Sequence, residues 1–283
     1  MNAAPAQARL ADGEGAATLD GGALVLVNGD GGVEYDRVTL SGQYLNSSVG
    51  VPGLSPVQPV EFNNARELIA QTTSTHLEDR RTFGAVGYRR ILGEATTVQA
   101  RVFSANLNRL WDSPDSLFVK GGEKSEGAHS AIAVETQVDQ PVGEAITATL
   151  GAEFRREGYR NTDLLKGKVT QNNTRDISAG YVQALGTFGD LSVLPGVRVE
   201  RDQAFGTETM PRLGMSYRLS DPVRLTGQVG RSFRAPTFID LFWPGYGNPD
   251  LTAERAWSYE LGAEVRPHES VIGRITAHRT DLE

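Results

Sequence analysis

Long runs in which apolar and polar residues alternate one by one constrain this chain more than any other feature. Trp257, Tyr259, Leu261, Ala263 and Val265 alternate with Ser258, Glu260, Gly262, Glu264 and Arg266. A strand built from them has one apolar, aromatic face and one face that carries mostly charge. Val223, Leu225, Gly227 and Val229 alternate in the same way with Arg224, Thr226, Gln228 and Gly230. Between these two runs Pro236, Pro244, Gly245, Gly247 and Pro249 remove donors or demand special dihedrals. The segment that joins the two strands must therefore leave the sheet.

Taken in order, the rest of the chain repeats the pattern. A first strand is expected over Ala16 to Val27, with Asn28-Gly29-Asp30-Gly31 as a tight hairpin turn, and a second over Val33 to Leu45. Asn46 to Asp79, with three prolines, reads as a long connection. Strands follow at Arg80 to Leu92 and Thr96 to Asn106, joined by a short turn at Gly93-Glu94, and then a long loop from Leu107 to Gly127. Ser130, Ile132, Val134 and Val138 open the next strand, and Pro141 to Glu144 turns it. Ile146, Ala148, Leu150, Ala152 and Phe154 then alternate with Thr147, Thr149, Glu153 and Arg155. Tyr159 to Thr174 reads as a long polar loop, Arg175 to Thr187 as a strand, and Gly189-Asp190 as a turn. Strands around Leu191 to Glu200 and Arg212 to Leu219 flank a medium loop near Gly206, and Asp221-Pro222 turns into the run described first. After Arg266 come the short turn Pro267 to Ser270 and a last strand to Asp281.

Roughly twelve strands of about ten to thirteen residues emerge, with long and short connections in alternation, as in transmembrane barrels. Soluble sheets favour strands of about five or six residues. Tyr44, Phe154, Tyr217, Trp257 and Tyr259 fall near strand ends, where interfacial aromatic girdles sit. The parity sets an orientation, with the loops near Pro56, Trp111, Lys166, Gly206 and Trp243 outside and the short turns in the periplasm. The expected fold is all-β, an antiparallel up-and-down transmembrane β-barrel.

Composition agrees with many strands and turns. There are 32 Gly, no Cys and 3 Met among 283 residues. The mean hydropathy of -0.32 and the lack of a long apolar run exclude a membrane-spanning helix, yet alternating barrel strands average to such a value. A net charge of -7 with no concentrated basic surface argues against a nucleic-acid partner. The amino terminus lacks a basic start followed by an apolar core, so no secretory leader is visible. The expectation that follows is a fragment, or a chain without its leader.

The connecting stretch also carries a resemblance. Phe233-Arg234-Ala235-Pro236, Leu241-Phe242, Asn248-Pro249-Asp250-Leu251, Glu254 and Ser258-Tyr259-Glu260-Leu261-Gly262 stand in fixed order over one short span. This resembles the barrel signature of TonB-dependent outer-membrane receptors, and the phrase LFWPGYGNPDLTAE is most similar to that of the cobalamin receptors. Ala253 departs from the proline usual before the Glu. The resemblance implies a bacterial outer-membrane receptor and transporter for a scarce nutrient such as cobalamin or a metal chelate. It further implies a plug domain inside a barrel of 22 strands, about twelve of them here, and a TonB energy-transducing partner that acts through a plug segment missing from this chain. On that view residues 1–15 are a poorly ordered N-terminal segment and 16–283 a partial barrel domain whose partners are outer-membrane lipid and a small nutrient ligand.

No chemistry-bearing constellation emerges, so neither a catalytic residue, a metal ligand set nor a cofactor is expected. His76, His129, His268 and His278 lack ligand spacing, and nucleophile elbows and phosphate loops do not occur. Asp112, Asp115, Asp163 and Asp176 read as solvated loop acids, with calcium the alternative. For ligand contact the candidates are Trp243 and Tyr246, large rigid groups flanked by Pro244 and Gly245 on a loop able to fold inward. The alternative is that they only pack the loop against the rim. Two other readings of the whole chain stay open: a complete smaller porin-like barrel, and a soluble all-β binding module.

Overall fold

The computed structural model describes residues 17–19, 22–33, 36–50, 74–93, 95–114, 119–243, 247–268 and 270–283, with backbone alone over 17–33. The strands are β1 (Ala17–Leu19), β2 (Gly22–Val33), β3 (Asp36–Gly50), β4 (His76–Leu92), β5 (Thr96–Ser113), β6 (Glu123–Val142), β7 (Ile146–Asp163), β8 (Lys168–Phe188), β9 (Leu191–Asp202), β10 (Gly206–Ser220), β11 (Val223–Arg234), β12 (Glu254–His268) and β13 (Val271–Leu282). They form one antiparallel sheet in sequence order, the arrangement of an up-and-down barrel wall. Among the described residues the first and last strands do not pair with each other, so the wall is open.

The strands sort their side chains in the reverse of a soluble sheet. On one face Leu40, Val86, Val102, Val134 and Phe154 stand side by side across five strands, and all are exposed. Leu213, Val229 and Tyr259, then Met215, Gly227, Leu261 and Ala277, carry the same face to the far edge. Leu261 is 72% exposed and Ile275 74%. Exposed apolar surface on this scale is stable only against lipid.

Along β7 the outward apolar residues run from Ile146 to Phe154 and stop at Arg156, whose guanidinium pairs with Asp176 at 2.7 Å. A run of about nine residues is what a tilted transmembrane strand needs. At the short-turn end the exposed face closes with Tyr88, whose hydroxyl donates to Asp36 at 2.6 Å.

The opposite face is polar and partly buried. Arg198 of β9 reaches over β8 to Glu153 of β7 at 2.8 Å and also holds Glu200 at 2.8 Å. Tyr181 of β8 lies flat over Gly151 of β7, where any side chain would overlap the ring, and its hydroxyl donates to Gln137 of β6 at 2.7 Å. Arg212 of β10 donates to Gln183 of β8. The contacts of Arg198 with Glu153, Tyr181 with Gln137 and Arg212 with Gln183 each span an intervening strand, which side chains on the concave face of a curled sheet can do. This face is the lumen.

Expectations about several connections need correction. Asn28-Gly29-Asp30-Gly31 is not a turn: β2 continues through it, with Asn28 opposite Ser41 and Asp30 opposite Thr39, and Val33 faces Asp36. The Asn-Gly preference yields to a register shared with the neighbouring strand. The loops expected over 107–127 and 159–174 are mostly strand, since β5 extends to Ser113, β6 starts at Glu123, and only 164–167 separates β7 from β8. Strands β6 and β8 reach 20 and 21 residues, far more than the slab requires, so their outer halves stand in water. The short turns at Gly189-Asp190 and Asp221-Pro222 fall where expected. The expected segment 1–15 and the prolines of 51–73 lie outside the described residues.

Candidate functional site

The outer end of the wall is organised by the connection between β11 and β12. It leaves the sheet after Arg234 and forms a short helix, α1 (Phe238–Phe242). Thr237 caps it: Thr237 Oγ1 accepts from the Asp240 amide at 3.2 Å, and the Asp240 carboxylate accepts from the Thr237 amide at 2.9 Å. The Thr237 hydroxyl, then its amide, holds the Asp240 carboxyl below the usual carboxylate range by stabilising the charged form. This reciprocal pair is a capping box with Asp in the place of Glu.

The returning arm is tied to the same helix. Asn248 donates its amide to the Asp240 carbonyl at 2.8 Å, while its side-chain oxygen accepts from the Asp250 amide across Pro249 at 3.0 Å. The Asn-Pro-Asp-Leu phrase is thus a fold-back device. Trp243 ends α1, donating its amide to the Ile239 carbonyl at 3.0 Å and accepting from the Gly247 amide at 2.7 Å. At Gly247 a Cβ would overlap the backbone of Phe242 and Trp243. Leu241 and Ala253 are buried beneath.

The helix turns inward against the water-side halves of β7 and β8. Arg175, 9% exposed, donates to the Pro236 carbonyl at 3.0 Å and to Glu157 at 2.6 Å, and its Nε faces Asp202 Oδ2 at 3.5 Å. Its guanidinium lies 5.3 Å from the centre of the Phe238 ring, which stacks on Tyr159 at 6.4 Å and 13°. Gln171 donates to the Phe242 carbonyl. His129 of β6 lies beside Tyr159 with ring centres 4.4 Å apart. Glu208 of β10 accepts from Arg231 of β11 and Arg255 of β12, which joins the roots of the connection.

Below this mouth the lumen face forms two open hollows of about 610 and 450 Å³. Arg101, Glu135, Gln137, Glu153 and Arg198 line the larger, Gln183, Arg212, Arg231 and Phe233 the smaller. Such a wall can hold a polar occupant by charge-assisted hydrogen bonds.

Of the two expected contact residues, Trp243 is half-buried at the end of α1 and Tyr246 lies outside the described residues. The loop acids do not converge. Asp112 pairs with Lys124, Asp163 with Lys166 and Asp176 with Arg156, and Asp115 lies outside the described residues. Sequence reasoning missed Tyr159, Gln171, Arg175 and Phe238. Tyr159, Asn161, Gln171 and Arg175 continue the two-residue spacing of their strands on the lumen side, the one signal able to reveal them.

An inside-out antiparallel wall with an inward-folded outer connection defines a class, the membrane β-barrel. The family is narrower. Residues 19–283 match the TonB dependent receptor-like beta-barrel family, and the chain belongs to it. It is 28% identical over 133 residues to the vitamin B12 transporter BtuB of Photobacterium profundum, a match covering 47% of this chain and 21% of that protein. With the vitamin B12 transporter BtuB of Vibrio vulnificus strain YJ016 it shares 31% over 140 residues, 49% of this chain and 22% of the other. A mutant of the ferric enterobactin receptor PfeA of Pseudomonas aeruginosa has the same fold, with a TM-score of 0.70 at 17% identity over 89% of this chain and 41% of that one. These matches span about a fifth of the curated relatives' length and two-fifths of the solved receptor's.

Proposed function

We propose that residues 16–283 form part of the barrel of a bacterial outer-membrane receptor that takes up cobalamin or a metal chelate, driven by a TonB energy-transducing partner acting through a plug domain. The observation that carries this reading is the pairing of a lipid-matched outer belt with a charged lumen beneath an inward-folded outer connection. A porin needs an unobstructed passage, whereas a receptor needs a contact surface at the mouth and a wall able to hold an occupant below it. The vitamin B12 transporters among the relatives favour cobalamin as the first ligand to test. Trp243, with Tyr246 beside it in sequence, supplies rigid aromatic area at the mouth.

The test is cyanocobalamin uptake in a bacterium whose own receptor is deleted and replaced by the whole protein that carries this chain. Uptake that needs TonB, and that weakens when Trp243 and Tyr246 are both changed to Ala at unchanged surface expression, supports the reading. Unchanged uptake in the double variant removes both residues from the ligand surface. No uptake by the unsubstituted protein, with iron chelates equally inert, overturns it.

A further inference from the structure

Arg175 makes more contacts than a wall residue needs. Its guanidinium serves four partners from four parts of the chain: Glu157 on β7, Asp202 at the end of β9, the Pro236 carbonyl, and the Phe238 ring on α1. Two of these belong to the wall and two to the connection that folds over it. Asp202 is itself fixed, being 2% exposed with its other oxygen accepting from the Ala204 and Phe205 amides at 2.8 and 3.2 Å. Glu157 is held from the other side by Arg155 at 3.0 Å. The guanidinium is thus oriented by wall carboxylates: Nη1 and Nη2 donate to the Pro236 carbonyl and to Glu157, while the Asp202 charge stands 3.5 Å from Nε without a hydrogen bond.

We propose that Arg175 is a positioning residue that latches the β11–β12 connection across the outer mouth, holding α1 and Trp243 at a fixed place over the lumen. Phe238 is the part of the connection that the latch grips, between the guanidinium and the Tyr159 ring. Gln171 adds a second point of attachment at the Phe242 carbonyl. Release of the guanidinium frees the Pro236 carbonyl and the Phe238 face together, so α1 loosens about its remaining tie, that of Gln171 to the Phe242 carbonyl. The consequence for ligand contact through Trp243 rests on the receptor reading above; the latch itself does not.

The 283 residues contain no cysteine, so paired spin labels can be introduced at Ile239→Cys on α1 and Leu165→Cys on the β7–β8 turn, both exposed. Double electron–electron resonance on the whole protein in outer-membrane vesicles is expected to give one narrow distance distribution. Arg175→Ala broadens it and raises protease cleavage of the connection on the order of tenfold, as loss of charge-assisted bonds to the segment predicts. Arg175→Lys gives little rescue, because one ammonium cannot stack on Phe238 while bonding Glu157 and Pro236.

Phe238→Ala, which leaves the buried wall charges paired, broadens the distribution in the same way and covers the case in which Arg175→Ala fails to assemble. Arg156→Ala, on the opposite face, leaves it narrow. Heat-modifiable mobility of the barrel stays as in the unsubstituted protein, which separates a lost latch from a damaged wall. An unchanged distribution in Phe238→Ala, or full rescue by Arg175→Lys, overturns the proposal. Failed uptake of both cyanocobalamin and iron chelates by the unsubstituted protein overturns only the receptor reading.

Discussion

Leu150 and Gly151 are neighbours on β7 and live in opposite worlds. Leu150 is 63% exposed, stands in a row with Val138 and Val182, and has no polar neighbour to satisfy. Gly151 is buried under the Tyr181 ring, in a face where Asp139, Glu153, Arg198 and Gln137 exchange hydrogen bonds. In a soluble sheet the apolar face is packed and the charged face is wet. Here the apolar face meets solvent in the form of lipid, and the charged face closes on itself. The lesson is that which face is inside follows from what surrounds the wall, while alternation alone is silent about it.

The largest expected effect attacks the outward face. Leu150→Arg puts a charge near the middle of the apolar belt and should cost about 2–4 kcal/mol of folding stability in bilayers, read by urea unfolding in vesicles. Gln43→Arg on the lumen side of β3 should change it by less than about 0.5 kcal/mol, because that face already hosts charge. Equal losses at both sites would erase the distinction between the faces.

On the inward face of β7, Gly151→Val forces the Tyr181 ring off its seat and should cost about 1–3 kcal/mol by overpacking. Leu150→Val next to it should be nearly silent in the same assay. Further from the belt, Thr237→Ala removes the cap of α1 and should cost about 1 kcal/mol locally. Hydrogen exchange at residues 239–243 would register it, with the barrel strands unaffected.

The smallest effect is pH-dependent. The Asp240 carboxyl is held below its ordinary value by Thr237, so its contribution to the cap is fully present above the unfolded value of about 4 and is lost as pH falls through the lower, folded value. Exchange at α1 should therefore quicken in acid, and Thr237→Ala, which removes the hydroxyl but keeps the amide donor, should weaken the dependence.

How much of this could be read in the sequence divides along the same line. Where one face is apolar, from Ile146 to Phe154 or Trp257 to Val265, the two-residue period fixes strand, face and short turn together, and the family signature adds the barrel. Beyond Phe154 both faces of β7 turn polar, as in Arg155, Arg156, Glu157 and Arg160, and the period vanishes although the ladder continues to Asp163. Polar strand that stands in water therefore reads as loop. The latch was hidden for a different reason: Arg175 meets Pro236 across 61 positions and Gln171 meets Phe242 across 71. No local pattern records such a meeting.

The most direct test of the inside-out wall is a spin-label accessibility scan along β7 from Ala148 to Glu153 in bilayers, with oxygen as the apolar probe and a nickel chelate as the polar one. Oxygen access should rise at Ala148, Leu150 and Ala152 and fall at Thr149, Gly151 and Glu153, with the chelate shut out of the first set. Chelate access at Leu150 equal to or above that of oxygen, or no two-residue period at all, would contradict the account.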